Sequence, residues 1–195
     1  MGRLHVEPPP ESLLAAVRVV AHEQLGAADL HGAELGRVVR RVSEAYRRER
    51  GSPADLRGDD RTLCARLKFF LLRDWPKITA PLAELAAVGA LPEAKTLRVL
   101  DLGAGLGSTG LGAAAFALTL PGIECVRIDA VDRDARALEL ALSLSRHFAR
   151  TAGLALELRP RAAALSPALL SSLSPPYELI VLGFVLNEIG ELEPE

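Results

Sequence analysis

Two carboxylates and a run of glycines are the residues of this chain whose types and spacing suit chemistry. Asp101 stands two residues before Gly103, and Gly105 and Gly107 follow at the same interval, within LRVLDLGAGLGSTGLG at 97–112. Glycine lacks the Cβ that disfavours positive φ, so such a run can bend sharply and let a ligand lie against bare main chain. An anionic side chain at the head of the bend can bind an ammonium group, directly or through water. Asp132 follows Gly107 by 25 positions, and a carboxylate there can accept both hydrogen bonds of a ribose diol. Its alternative role is to help cap the helix that follows, a role that Asp134 suits better.

The elements that must position these residues surround them. Val99, Leu100 and Leu102 make a short apolar run of the kind found in buried parallel strands. The segment from Leu111 to Leu120 is rich in alanine and leucine and reads as a helix. The free N–H groups at its start would point at the turn. Strand, glycine turn and helix together form the opening unit of a nucleotide-binding α/β sheet.

Two patterns overlap on this unit. Gly105-x-Gly107-x-x-Gly110 fits the dinucleotide fingerprint. Asp101-x-Gly103-x-Gly105-x-Gly107 instead closely resembles the first motif of class I S-adenosylmethionine-dependent methyltransferases. Asp101 favours the second, because a pyrophosphate is anionic and is repelled by a carboxylate. A glycine-rich turn with no ligand is the third reading.

The resemblance to class I methyltransferases covers about residues 97–189, through VLDLGAGLGSTG, AVDRDARALELA and YELIVLGFVLNEI. It implies a Rossmann-like sheet with S-adenosylmethionine as cofactor. Asp101, Gly103, Ala104, Gly105 and Gly107 would hold the methionine end, and Asp132 the ribose. Such enzymes often place an acidic or polar residue after the third strand to reach the adenine amine. Here that region reads LRPRAAAL, without a carboxylate, which leaves backbone or apolar contacts for the base.

More narrowly, FVLNEI and the upstream FFLLRDWPKITAPLAEL are similar to methyltransferase-like proteins associated with the small ribosomal subunit of mitochondria and bacteria. That likeness implies ribosomal RNA or ribosome assembly as the setting. Members often carry a cysteine-rich segment near the end of the domain, and this sequence has none. Asn187 and Glu188 would sit at the crevice mouth, either to orient a nucleophile and accept its proton or to form a structural turn.

Composition narrows the classes further. The sequence has 195 residues, 49% of them hydrophobic, enough for one domain with a helical extension. A net charge of −2 gives no global basic field, so any nucleic-acid contact must be a local patch. Aromatics at 4% argue against an extended base-stacking platform. Two distant cysteines, Cys64 and Cys125, and four scattered histidines suggest neither a disulfide framework nor a metal site. Neither a signal peptide nor a membrane span is expected, which makes a soluble cytoplasmic protein the default.

Taken in order, the chain divides into a helical N-terminal extension at 1–92 and an S-adenosylmethionine-binding domain at 93–195. Helices are expected at about 11–25, 29–50, 60–72 and 76–88, with Asp74-Trp75-Pro76 breaking the third from the fourth. One face of the second helix carries Arg37, Arg40, Arg41, Arg47, Arg48 and Arg50 against Glu44 and Glu49. That stripe is either a phosphate-binding surface for RNA or a solvated amphipathic face.

Strands are expected at about 98–102, 125–131, 154–158 and 179–183, with Trp75 packing where the helices meet the sheet. Ser174-Pro175-Pro176-Tyr177 resembles the N/D-P-P-Y motif of amino-methylating enzymes. It precedes the fourth strand instead of following it, so it reads as a turn. A class I methyltransferase sheet normally has seven strands, whereas this sequence reaches four. The fourth would then be an edge, with Ile180, Val181 and Leu182 partly uncovered, inviting aggregation or a partner, and the expectation is a sheet truncated after strand 4: a truncated product, a fragment, or a half-domain completed by another chain. Three functions follow as expectations: a methyltransferase, a non-catalytic methyltransferase-like binding module for ribosome assembly, and a nicotinamide-dependent oxidoreductase.

Overall fold

The run Val99 to Leu102 is buried along its whole length, which requires strand neighbours on both sides and cover on both faces. The computed structural model supplies them, describing residues 8–48, 59–173 and 176–183. Among the described residues the chain is an α/β protein with a four-stranded parallel sheet. Its strands are β1 (Thr96–Leu102), β2 (Cys125–Asp132), β3 (Leu156–Ala162) and β4 (Leu179–Leu182), in the order β3-β2-β1-β4. Leu102 pairs with Val131 on one side and with Leu182 on the other. The carboxyl ends of β1, β2 and β4 therefore finish level with one another.

Helix α1 (Glu11–Leu25) and helix α2 (Gly32–Arg48) begin the extension. A longer helical run follows as α3 (Asp60–Ala65), a π-helical turn over Arg66–Phe70, and α4 (Leu71–Asp74). The expected break at Asp74-Trp75-Pro76 is a change of winding: Trp75–Lys77 is a 3-10 turn, and α5 (Thr79–Ala87) follows it. Proline is compatible with the first positions of a new helical turn, where its missing N–H has no intrahelical partner.

Helix α6 (Ser108–Ala117) joins β1 to β2, and α7 (Ala135–Ala152) joins β2 to β3. The short α8 (Pro167–Ser171) precedes β4. The third strand lies later than expected and runs through Pro160. β3 is at the sheet edge, where a residue lacking an N–H costs no ladder bond.

One face of the sheet is deeply covered. Val99, Val126, Ile128 and Leu158 share a single core with Leu13 and Val20 of α1, Leu63 and Leu67 of the third helical run, and Leu140 and Leu144 of α7. The extension and the sheet thus bury one continuous apolar surface. Trp75 sits at their junction, as expected, with its ring edge-on to Phe148 at 5.4 Å between centroids.

The other face is thinner. Leu100, Leu102 and Val131 meet Leu169 of α8, while Ile180 and Leu182 remain 54% and 41% exposed. Among the described residues β4 is an edge strand, and no described helix is long and apolar enough to cross a membrane.

Gly112 shows how tightly the extension is applied. A Cβ there would stand 2.7 Å from Ile78 Cγ2 and 3.0 Å from the Trp75 carbonyl oxygen. Replacing Gly112 by valine should cost about 1–3 kcal/mol through overpacking, although glycine is itself a poor helix former. Urea unfolding checks this; an unchanged or higher midpoint would mean that the junction is looser than described.

Candidate functional site

The turn after β1 is held by the end of β2. The N–H groups of Gly103 and Ala104 both donate to the Val131 carbonyl, at 2.8 and 3.0 Å. The Gly105 N–H donates to Asp132 Oδ2 at 2.8 Å, and the Gly107 N–H to the Ala104 carbonyl at 2.7 Å. Gly103, Gly105 and Gly107 have φ of 71°, 51° and 81°, which side-chain-bearing residues rarely adopt. These backbone angles explain the alternating glycines. Gly107 then serves as the N-cap of α6.

Asp101 lies beneath that helix start and is 1% exposed. Its Oδ2 accepts the Gly110 N–H at 2.9 Å, while Oδ1 is buried without a hydrogen-bond partner among the described residues. A Cβ on residue 110 would stand 2.6 Å from Asp101 Oδ2 and 3.2 Å from Ile128 Cγ2. Gly110 is therefore the residue that lets α6 approach the strand. Burial pushes the Asp101 carboxyl up to about 7, the Gly110 N–H pulls the other way, and the Asp132 charge adds to the rise. The sequence suggested a carboxylate open to a ligand at the strand end. The structure encloses it, leaving Oδ1 as its uncommitted atom.

Asp132 is half-buried and organises the neighbouring backbone. Besides holding Gly105, it accepts the Asp134 N–H on Oδ1 at 2.8 Å. A carboxylate has about four lone-pair sites, so two of them remain for a ligand's donors. Asp134 caps α7 as expected, accepting the Ala137 N–H on Oδ1 at 3.0 Å. Its Oδ2 accepts from Arg66 Nη1 at 2.7 Å.

Sequence reasoning missed Arg66, which reaches this edge from the helical extension. A Cβ on Gly105 would stand 3.2 Å from Arg66 Nη2 and 3.9 Å from Asp132 Oδ2. The space above the Gly105 amide is thus bounded by a cation and an anion. Within ARLKFF, Arg66 looks like any polar residue of an amphipathic helix, and nothing in its spacing signals the contact.

On the β4 side the crevice is narrow. A Cβ on Gly183 would stand 2.1 Å from Thr109 Oγ1, so the first turn of α6 packs directly on the end of that strand.

Other sequence candidates fall elsewhere. Tyr177 donates to Asp129 Oδ2 at 2.7 Å, and Glu178 exchanges hydrogen bonds with Arg98 near the amino end of β1. Tyr177 is therefore distant from the glycine turn, as its place before β4 suggested. In the basic stripe, Arg41 is engaged by Asp59 and Thr62 at 2.8 Å each. Asn187, Glu188 and the rest of FVLNEI, the FVL segment included, lie outside the described residues, as do Arg50 and the Arg48 side chain. A small apolar cleft lined by Leu82, Phe116, Leu120 and Leu179 opens toward the amino end of the sheet and offers no polar group. Among the described residues no three His, Cys, Asp or Glu side chains converge as a metal site requires.

The chain matches no known family model and no curated protein.

The Asp101 environment sets a direction for stability with pH. Between about pH 4 and pH 7 the folded chain keeps a proton on this carboxyl that the unfolded chain has lost. Its contribution is complete below about pH 4 and is lost as pH rises toward 7. Asp101→Asn should therefore gain on the wild type by more than about 1 kcal/mol between pH 5.5 and pH 8. Urea unfolding at the two values measures this, and a pH-independent difference would refute a proton held at Asp101.

Proposed function

We propose that this chain binds S-adenosylmethionine at the carboxyl edge of its sheet and is a methyltransferase. The observation that carries the reading is the stapling of the glycine turn to Asp132. It places a bare backbone at Gly105 beside a carboxylate with acceptor capacity to spare. The strand order β3-β2-β1-β4 supports a Rossmann-like sheet, in which ligands occupy the crevice beyond the strand ends where the order reverses. That point lies between β1 and β4, beside the turn.

The charge pattern favours this cofactor over a dinucleotide. Asp132, the carboxylate that bonds only backbone N–H groups at this turn, makes a pyrophosphate less welcome there. An amino-acid sulfonium brings positive charge instead. Asp132 would accept the ribose hydroxyls, and Gly103, Ala104, Gly105 and Gly107 would form the floor under the methionine end. Asp101 would act indirectly, by fixing the helix start that shapes that floor.

When bound, S-adenosylmethionine supplies a methyl group on a sulfonium to a nucleophile of the acceptor. The chain's contribution is alignment. Backbone hydrogen bonds hold the turn in place, and the Asp132 carboxylate would orient the ribose. The acceptor we propose is RNA or a component of the small ribosomal subunit.

A second reading is a non-catalytic binding module of the same fold. The exposed Ile180 and Leu182 on the edge strand favour it, because they form a surface suited to a partner chain. Methyl transfer to small-subunit RNA separates the readings, since co-sedimentation without transfer supports the module.

Calorimetry tests the cofactor assignment. The wild type should release heat on binding S-adenosylhomocysteine. Gly105→Arg should release none while keeping its far-ultraviolet circular dichroism, because the larger residue is strained at φ 51° and fills the space beside Arg66. Equal heats would remove the assigned site. Thermal stabilisation by NAD but not by S-adenosylmethionine would favour an oxidoreductase instead.

A further inference from the structure

We infer that Arg66 is a further ligand-binding residue of this site, receiving the carboxylate of the amino-acid moiety. The inference rests on the S-adenosylmethionine reading and extends it to a residue of the helical extension. Arg66 opens the π-helical turn Arg66–Phe70, in which the Leu71 N–H donates back to the Arg66 carbonyl. Such a turn admits one more residue than an α-helical turn and redirects the side chains around it; these turns recur at functional sites. Here Leu67 and Phe70 enter the core while Arg66 reaches the glycine turn.

The guanidinium is held but not used up. Nη1 is fixed by Asp134, whose other oxygen is committed to the cap of α7. Nη2 lies 3.2 Å from the position of a Cβ on Gly105, and neither Nη2 nor Nε donates a hydrogen bond among the described residues. The Arg66 side chain is 16% exposed and that of Asp134 is 6% exposed. A partly desolvated guanidinium with free donors is a receptor for a planar, two-oxygen anion.

The surroundings restrict which anion. A phosphate monoester or pyrophosphate would add about two negative charges beside Asp132, with no cationic group of its own to offset them. An α-amino acid carries one carboxylate with an ammonium two bonds away, so its charges can be divided between Arg66 and the aspartates. The ligand class is therefore zwitterionic, and Arg66 distinguishes its acidic end. A purely structural Arg66, serving only to dock the extension on Asp134, would treat all ligands of the turn alike.

That difference provides the test. Binding of S-adenosylhomocysteine and of 5′-methylthioadenosine, which lacks the amino-acid end, is measured for the wild type, Arg66→Ala and Arg66→Gln. The glutamine variant retains a donor for Asp134 and covers the case in which the alanine variant does not fold. We expect Arg66→Gln to weaken S-adenosylhomocysteine binding at least about tenfold and to change methylthioadenosine binding less than about twofold. Equal loss for both ligands, or loss for neither, overturns the role of Arg66 and leaves the cofactor assignment standing. A wild type that binds neither ligand overturns both.

Discussion

The hydrogen bond from the Gly105 N–H to the Asp132 carboxylate joins the two loops on which the carboxyl edge depends. It ties the turn after β1 to the end of β2, beside two further bonds from Gly103 and Ala104 to the Val131 carbonyl. A turn with three residues at positive φ has ample freedom in the unfolded chain, and these bonds select one arrangement from it. The start of α6, the position of Asp101 and the close approach of Arg66 all follow from that arrangement. The same Asp132 then orders the residues before α7 through the Asp134 N–H, so one carboxylate sets two helix starts.

The edge also concentrates like charge, and the structure separates its carboxylates by environment. Asp134 is neutralised by Arg66 and by a helix N-terminus. Asp132 faces backbone donors and is half-buried. Asp101 is enclosed under α6 with one N–H donor, and burial holds its proton up to about pH 7. Three aspartates near one turn thus have three different tasks: a helix cap with a cation, a loop staple with spare acceptor sites, and a buried anchor. That division makes the site receptive to a ligand with both positive and negative groups.

Much of this was legible in the sequence because it depends on local rules. Alternating glycines after an apolar run announce a turn at a strand end, and Asp134 ahead of an amphipathic run announces a cap. Asp132 could be singled out by its distance from the turn. The limits of β3 were not legible, since proline inside a strand is tolerated only at a sheet edge, and edge position belongs to the assembled sheet. The enclosure of Asp101 depends on how closely α6 packs, which Gly110 permits; in the sequence Gly110 stood out only as the third glycine of the dinucleotide pattern. Arg66 was invisible for a stronger reason. Its contact with the turn joins residues far apart in the chain and requires the extension and the sheet to share a core.

The central claim is that the turn stapled by Asp132 is a ligand floor and not merely a tight connection. Backbone amide chemical shifts, followed by NMR as S-adenosylhomocysteine is added, address it most directly. The largest changes are expected at Gly103 to Gly110 and at Asp132 to Asp134, with smaller ones at Arg66. Saturating changes confined to the apolar cleft near Phe116, or none at these residues, would contradict it.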